Sequence, residues 1–295
     1  LGGDGDTLAT GAERAAEHLL REAFVVEVRG VEGGEAGVEG TLDDASRLGL
    51  GRPLSEVHRS DGEASAHTAS YDARMLTAAM SLNVTIVEPP ALFGEPGKQL
   101  QRIDTILDMA PVGDVIVLPE TTLTGYVSPQ GLFDLSAFAE PFESSQLAGL
   151  RELAVRRRAA VIGPVIERDG ERRFNTQVVL AADGSLLAKY RKRHPWYPET
   201  WATPGDLPFP RFRLGELECT LAICFDVHFL AEEAMHELGE SDVLFFCSAW
   251  VDSEFDSRPD HLVPLARDFG LVVVNANWGR GDPALPGQGG SMVVG

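Results

Sequence analysis

Cysteine is scarce in this chain. Cys219, Cys224 and Cys247 are an odd, sparse set for a disulfide framework, so a reducing, cytoplasmic setting is expected. Lysine is equally rare: Lys98, Lys189 and Lys192 are the full complement, against a large excess of arginine. Positive charge is short altogether, with 25 Lys and Arg against 45 Asp and Glu, a formal net charge of −20. That balance argues against nucleic acid, or an anionic membrane, as a partner held by a basic surface. No apolar run is long enough to span a bilayer, and no basic stretch leads into an apolar one at the start. The histidines form no His-Glu-x-x-His motif and the cysteines no Cys-x-x-Cys pair. Cys219 and Cys224, five apart, would face opposite sides of one strand. No metal site is expected.

What is present falls into two parts. Residues 1–79 are rich in Gly, Glu, Ala, Asp and Arg, as in GVEGGEAGVEG, with short apolar runs. A helix over Ala12 to Ala23 and a brief strand over Phe24 to Val28 are expected there. The remainder reads as a flexible segment or the remnant of an upstream region, because it buries too little apolar surface to offset chain entropy. Residues 80–295 form the expected functional domain, in which strands and helices alternate. LNVTIVEPP, DVIVLPE, AVIGPVIER, LECTLAIC, VLFFCSAW and LVVVNAN read as strands, and residues 174–180 with 186–190 as a hairpin turning at Asp183-Gly184. Helices are expected over 98–109, 146–158, 229–238 and 259–269. SMVVG ends the chain within an expected strand.

Three residues stand at strand ends where chemistry is expected. Cys224 closes LECTLAIC, where open α/β sheets place their ligands, and is a nucleophile or a small core hydrophobe. Glu120 closes DVIVLPE, and an acid ending an apolar strand is either a proton carrier or the cap of a turn. Lys192 lies in AKYRKRHPWYPE. A surface charge would have been arginine, as nearly everywhere else here, whereas a compact ammonium fits beside a reacting oxygen. The alternative is a solvated basic patch, KYRKRH. Acid, cation and thiol together suit nucleophilic catalysis, since an ammonium lowers a thiol's pKa.

With LPETTLTGY around Glu120, KYRKRHPWYPETWATPGD around Lys192 and LAICFD around Cys224, in that order, the sequence resembles the carbon–nitrogen hydrolase (nitrilase/amidase) superfamily. DVLFFCSAW and GQGGSMVVG add to the resemblance, which runs from about residue 82 to 295. It implies a four-layer α-β-β-α sandwich, here with C-terminal strands apparently truncated, and a homo-oligomer. It implies that Glu120 is general base and acid, that Cys224 attacks, and that Lys192 with the Phe225 N–H stabilises an oxyanion. Glu199 matches a second glutamate that positions substrate or holds Lys192 charged, unless it pairs on the surface with Arg191 or Arg193. The implied reaction is hydrolysis of a small non-peptide amide through a cysteine thioester, without a cofactor, in an amidase or biotinidase/pantetheinase-like branch. The alternatives are a nitrilase, or an inactive truncated relative. Nitrilases of the family typically carry Trp-Glu after the thiol where this chain has Phe225-Asp226, so the resemblance favours amides.

Overall fold

The computed structural model describes residues 23–29, 38–39, 81–251, 256–281 and 284–295. In chain order the strands are β1 (Ala23–Arg29), β2 (Val38–Glu39), β3 (Ser81–Val87), β4 (Val115–Val117), β5 (Glu140–Pro141), β6 (Ala160–Asp169), β7 (Arg172–Leu180) and β8 (Leu186–Arg191). A second set comprises β9 (Arg211–Leu214), β10 (Leu217–Ile223), β11 (Val243–Ser248), β12 (Val272–Asn277) and β13 (Met292–Val294). The helices are α1 (Pro96–Met109), α2 (Ser145–Arg157), α3 (Leu230–Glu233), α4 (Met235–Gly239) and α5 (Arg258–Phe269).

The strands form two sheets. One runs β2-β1-β3-β4-β6-β7-β8, with β5 beside β6; the other runs β13-β12-β11-β10-β9. β3, β4 and β6 are parallel neighbours, as are β10, β11 and β12, and antiparallel strands close the flanks. The period-two alternation of the sequence decides which face each side chain takes. Val84, Ile86, Val115, Val117 and Ile162 join the core shared with Leu221, Ile223, Phe245 and Val274 of the second sheet. Val87, Ile116, Leu118, Val161 and Val165 turn the other way, against Ile103, Ile106, Leu107, Leu147, Leu150 and Leu153 of α1 and α2. Leu262, Leu265 and Ala266 of α5 cover the second sheet. The result is the expected α-β-β-α sandwich.

Local sequence explains most boundaries. Pro96 opens α1, where a missing N–H costs nothing. Ser144 caps α2, and Gly270 ends α5 in the left-handed region that glycine adopts freely. The helix expected over 229–238 is instead two short pieces, α3 and α4, broken at Ala234. DVIVLPE and LECTLAIC are each shorter as strands than their apolar runs suggest, ending at Val117 and Ile223, so that Glu120 and Cys224 lie just beyond the ladders. β9 was not foreseen; it covers the edge of β10. Among the described residues, no helix is long and apolar enough to cross a membrane.

Of the segment 1–79, the helix expected from Ala12 lies outside the described residues, apart from Ala23, which stands in β1. β1 pairs antiparallel with β3 along its whole length, Ala23 opposite Val87 and Arg29 opposite Ser81, and Val28 is fully buried in the inter-sheet core. We propose that β1 belongs to the folded domain rather than to the segment before it. Val28→Ala is then expected to lower unfolding free energy by about 1–3 kcal/mol, the usual range for truncating a buried aliphatic side chain. An unchanged urea midpoint would place β1 outside the cooperative unit.

Candidate active site

The side chains singled out in the sequence converge where both sheets end. Glu120 follows β4 by three residues, in a turn where Pro119 O accepts the Thr122 hydroxyl at 2.7 Å. Lys192 directly follows β8, its N–H donating to Asn175 O of β7 at 2.8 Å. Its own carbonyl accepts from the Gly205 N–H at 2.8 Å. A Cβ at 205 would stand 2.0 Å from Arg191 O, so glycine alone permits this approach. Cys224 follows β10 and opens a 3-10 turn, Cys224–His228.

Lys192 is buried with an exposure of 1%, so the solvated-patch reading of KYRKRH does not hold. Its Nζ donates to Glu120 Oε1 at 2.7 Å and to Glu199 Oε1 at 2.8 Å. Burial alone would lower the Lys192 pKa, but the two carboxylates outweigh it and raise it, keeping the ammonium charged. Glu199 does not pair with its basic neighbours: Arg191 engages Glu167 and Asp206, and Arg193 engages Glu233. Burial pushes the Glu199 carboxyl up to about 7 despite the Lys192 charge beside it.

Glu120 receives three donors. Besides Lys192, the Asn175 amide donates to Oε1 at 2.7 Å and the Ala249 N–H, just past β11, donates to Oε2 at 2.8 Å. These bonds fix the carboxylate's orientation before any substrate arrives. The Ala249 N–H also faces the Cys224 sulfur. Burial, together with the Glu120 and Glu199 charges, pushes the Cys224 thiol well above its ordinary range, against the pull of Lys192. The resting group is therefore the thiol, and its proton must be removed as it reacts.

Backbone conformation marks the same spot. Among the described residues, three other than glycine have positive φ: Thr121 at 49°, Cys224 at 46° and Arg158 at 53°. Arg158 caps α2 in the ordinary left-handed way. The other two adjoin or are site residues, where a left-handed L-residue costs roughly 1–2 kcal/mol and is held by its surroundings.

At Cys224 the holding group is Asp226, fully buried in the 3-10 turn. Its Oδ2 accepts from Tyr190 OH at 2.9 Å and from the Ile223 N–H at 3.2 Å, and its Oδ1 accepts from the His194 N–H at 2.9 Å. Asp226 thus ties the turn bearing the thiol to the segment bearing Lys192. Sequence reasoning used Asp226 only as a neighbour of the thiol and missed Asn175, Tyr126 and the Ala249 N–H. A polar residue in the apolar β7 run (FNTQVVL) was a usable signal for Asn175. A backbone N–H has no signature.

A cavity of about 30 Å3 opens beside Cys224, lined by Tyr126, Trp196, Phe225, Ala249, Trp250 and Asp256 among others. Tyr126 OH donates to Glu199 Oε1 at 2.8 Å, and its ring stacks 6.3 Å from Trp196 and meets Trp278 edge-on at 5.6 Å. The wall is largely aromatic, with the Cys224 thiol and the Asp256 carboxylate set in it, so a small substrate would meet one reactive end among apolar surfaces.

The chain is similar to proteins already known. Residues 95–269 match the family model described as carbon-nitrogen hydrolase. The chain is 29% identical over 217 residues to an (R)-stereoselective amidase from a Pseudomonas species, covering 72% of this chain and 77% of that one. It is 29% identical over 155 residues to a nitrilase from Pyrococcus abyssi, covering 51% of this chain and 58% of the relative. Among solved structures, an amidase from a Nesterenkonia species superposes with a TM-score of 0.60 at 25% identity, covering 70% and 80% of the two chains.

Burial of Asp226 raises its pKa from 3.8 to about 6, although Lys192 and its three donors pull the other way. A carboxyl raised in the folded state contributes most stability below its unfolded pKa and loses it as pH climbs through the folded value. Relative to Asp226→Asn, the native chain should therefore lose stability between pH 4 and pH 6, on the order of 3 kcal/mol. Denaturation of both proteins across that range checks it. A difference independent of pH would show that Asp226 is not shifted.

Proposed function

The chain belongs to the carbon–nitrogen hydrolase family, and on that premise we propose that it hydrolyses a small amide through a thioester on Cys224. The observation that carries the reading is the buried Glu120–Lys192–Glu199 arrangement, which puts a base and a cation beside one thiol.

Glu120 takes the Sγ proton while the sulfur attacks the carbonyl carbon. The C=O π pair moves onto oxygen, where Lys192 Nζ and the Phe225 N–H, at the start of the 3-10 turn, receive it. Each such donor is worth about 3 kcal/mol. The oxyanion collapses, the C–N bond breaks, and Glu120 passes its proton to the departing amine or ammonia. Water then enters, gives a proton to Glu120 and attacks the thioester; sulfur leaves and takes the proton back. Glu199 shares the Lys192 charge and presents the Tyr126 hydroxyl at the cavity wall.

Cys224→Ala, Lys192→Arg and Glu120→Gln should each lower kcat by about a thousandfold or more, and their combinations should be far from additive, because each group acts through the others. Retention of most activity by Lys192→Arg would remove Lys192 from the oxyanion role.

The nitrile alternative is a difference of degree. Both reactions begin with sulfur attack, but an amide yields an oxyanion at once and needs its nitrogen protonated before it leaves. A cation aimed at oxygen and an acid beside the leaving nitrogen suit that order of events. For an amide and a nitrile sharing one acyl group, kcat/KM should favour the amide by at least about tenfold, or 1.4 kcal/mol. Equal turnover of the nitrile would reverse this assignment and leave the triad standing.

A further inference from the structure

The edge of the cavity carries donors that the reaction does not use. His228 closes the 3-10 turn that Cys224 opens, Asp256 follows β11, and His261 lies in the first turn of α5. Both Nε2 atoms face the one Asp256 carboxylate, His261 at 2.6 Å from Oδ1 and His228 at 3.8 Å from Oδ2. The three donor atoms lie within 4.8 Å of one another. We propose that His228, Asp256 and His261 form a binding site for one divalent transition-metal ion of the zinc type.

Hydrogen bonding accounts for part of this cluster. His261 and Asp256 are within bonding distance, but His228 stands at 3.8 Å, too far for a hydrogen bond, with its Nε2 still turned toward the same carboxylate. An ion between them explains that convergence. Zinc with bonds of about 2.0–2.2 Å sets neighbouring donors roughly 3.3 Å apart in a tetrahedron. The observed separations bracket that value, and shifts on the order of 1.5 Å would complete the site. The side chains have room for such shifts, being 24%, 39% and 28% exposed in chain order, and the same exposure gives an ion a path in.

The donor chemistry matches imidazole and carboxylate preferences of Zn2+, Co2+ and Ni2+ rather than those of Mg2+ or Ca2+, which favour all-oxygen shells. The backing is in place as well. The Trp250 ring lies 5.9 Å from His228 and 5.7 Å from His261, and its Nε1–H donates to the Asp256 carbonyl at 3.4 Å. Three protein ligands leave an ion one open position. Bound there, it would join the thiol's own turn to α5 at the mouth of the cavity. No spacing in the sequence announces these donors, which come from a turn, a loop and a helix. The assignment does not depend on which bond the enzyme cleaves.

The test is a Co2+ titration of the untagged full chain carrying Cys224→Ser, which removes the nearby thiol as a competing ligand. One equivalent of Co2+ should produce the visible absorption of a low-coordinate nitrogen–oxygen site, and the chain should melt at a higher temperature with the ion than without. His228→Ala and His261→Ala, each added to that background, should weaken binding at least tenfold, whereas His236→Ala on α4 should leave it unchanged. Asp256→Asn, which keeps the shape and removes the charge, should also weaken it. Metal-free melting confirms that each variant is folded. No absorption and no thermal gain would overturn the proposal, as would binding that survives both histidine substitutions or that disappears with Cys224→Ser alone.

Discussion

A buried ammonium held between two carboxylates governs the organisation of this molecule. Lys192 has no access to bulk water, and an unpaired charge in that position costs several kcal/mol. Glu120 and Glu199 must therefore both be within bonding distance, although they come from different parts of the chain. Their convergence fixes where β4 and β8 end relative to one another and how the loop after Lys192 folds back over it. Gly205 is needed because that return is so close. Once this arrangement is set, the second sheet supplies Cys224 and the Ala249 N–H from adjoining parallel strands.

The same arrangement sets the state of the thiol. A cation beside a cysteine ordinarily favours thiolate, but here burial and two carboxylates win, and sulfur keeps its proton. The charge on Lys192 is already shared with its two acids. What the site holds ready is a fixed acceptor for a proton and a fixed donor for an oxygen, each pinned by bonds that exist before substrate enters. Strain at Thr121 and Cys224 fits this picture, because the surroundings determine both residues more strongly than their own preferences do.

Much of this was legible in the sequence, for physical reasons that can be named. Strands buried on both faces leave apolar runs, so DVIVLPE and VLFFCSAW located themselves, and Ile103, Ile106 and Leu107 announced the inner face of α1 at three- and four-residue spacing. Rarity of lysine made Lys192 conspicuous. The ends of the runs were less well read: hydrophobicity continues through Leu118 and Cys224, whereas the ladder stops sooner because the chain must turn to aim a side chain. The pairing of β1 with β3 escaped notice, since a stretch of Gly and Glu separates them and register across a long connection is not written locally. Asn175 and Asp226 were hidden for a related reason. Each matters through a partner more than thirty residues away, and neither carries a local pattern that names that partner.

The burial of Cys224 has a bearing on how the site would respond to oxidants. Cys224 is 6% exposed behind Tyr126, Trp196 and Trp250, so a small oxidant reaches its sulfur more readily than a bulky disulfide does. Oxidative damage would then proceed by oxygen addition to sulfur rather than by mixed-disulfide capping. The same aromatic walls hinder the bulky thiols that reverse such damage. Keeping the sulfur protonated slows the first of these steps, so the arrangement that delays attack on substrate until Glu120 acts also shelters a thiol that is hard to reach once oxidised.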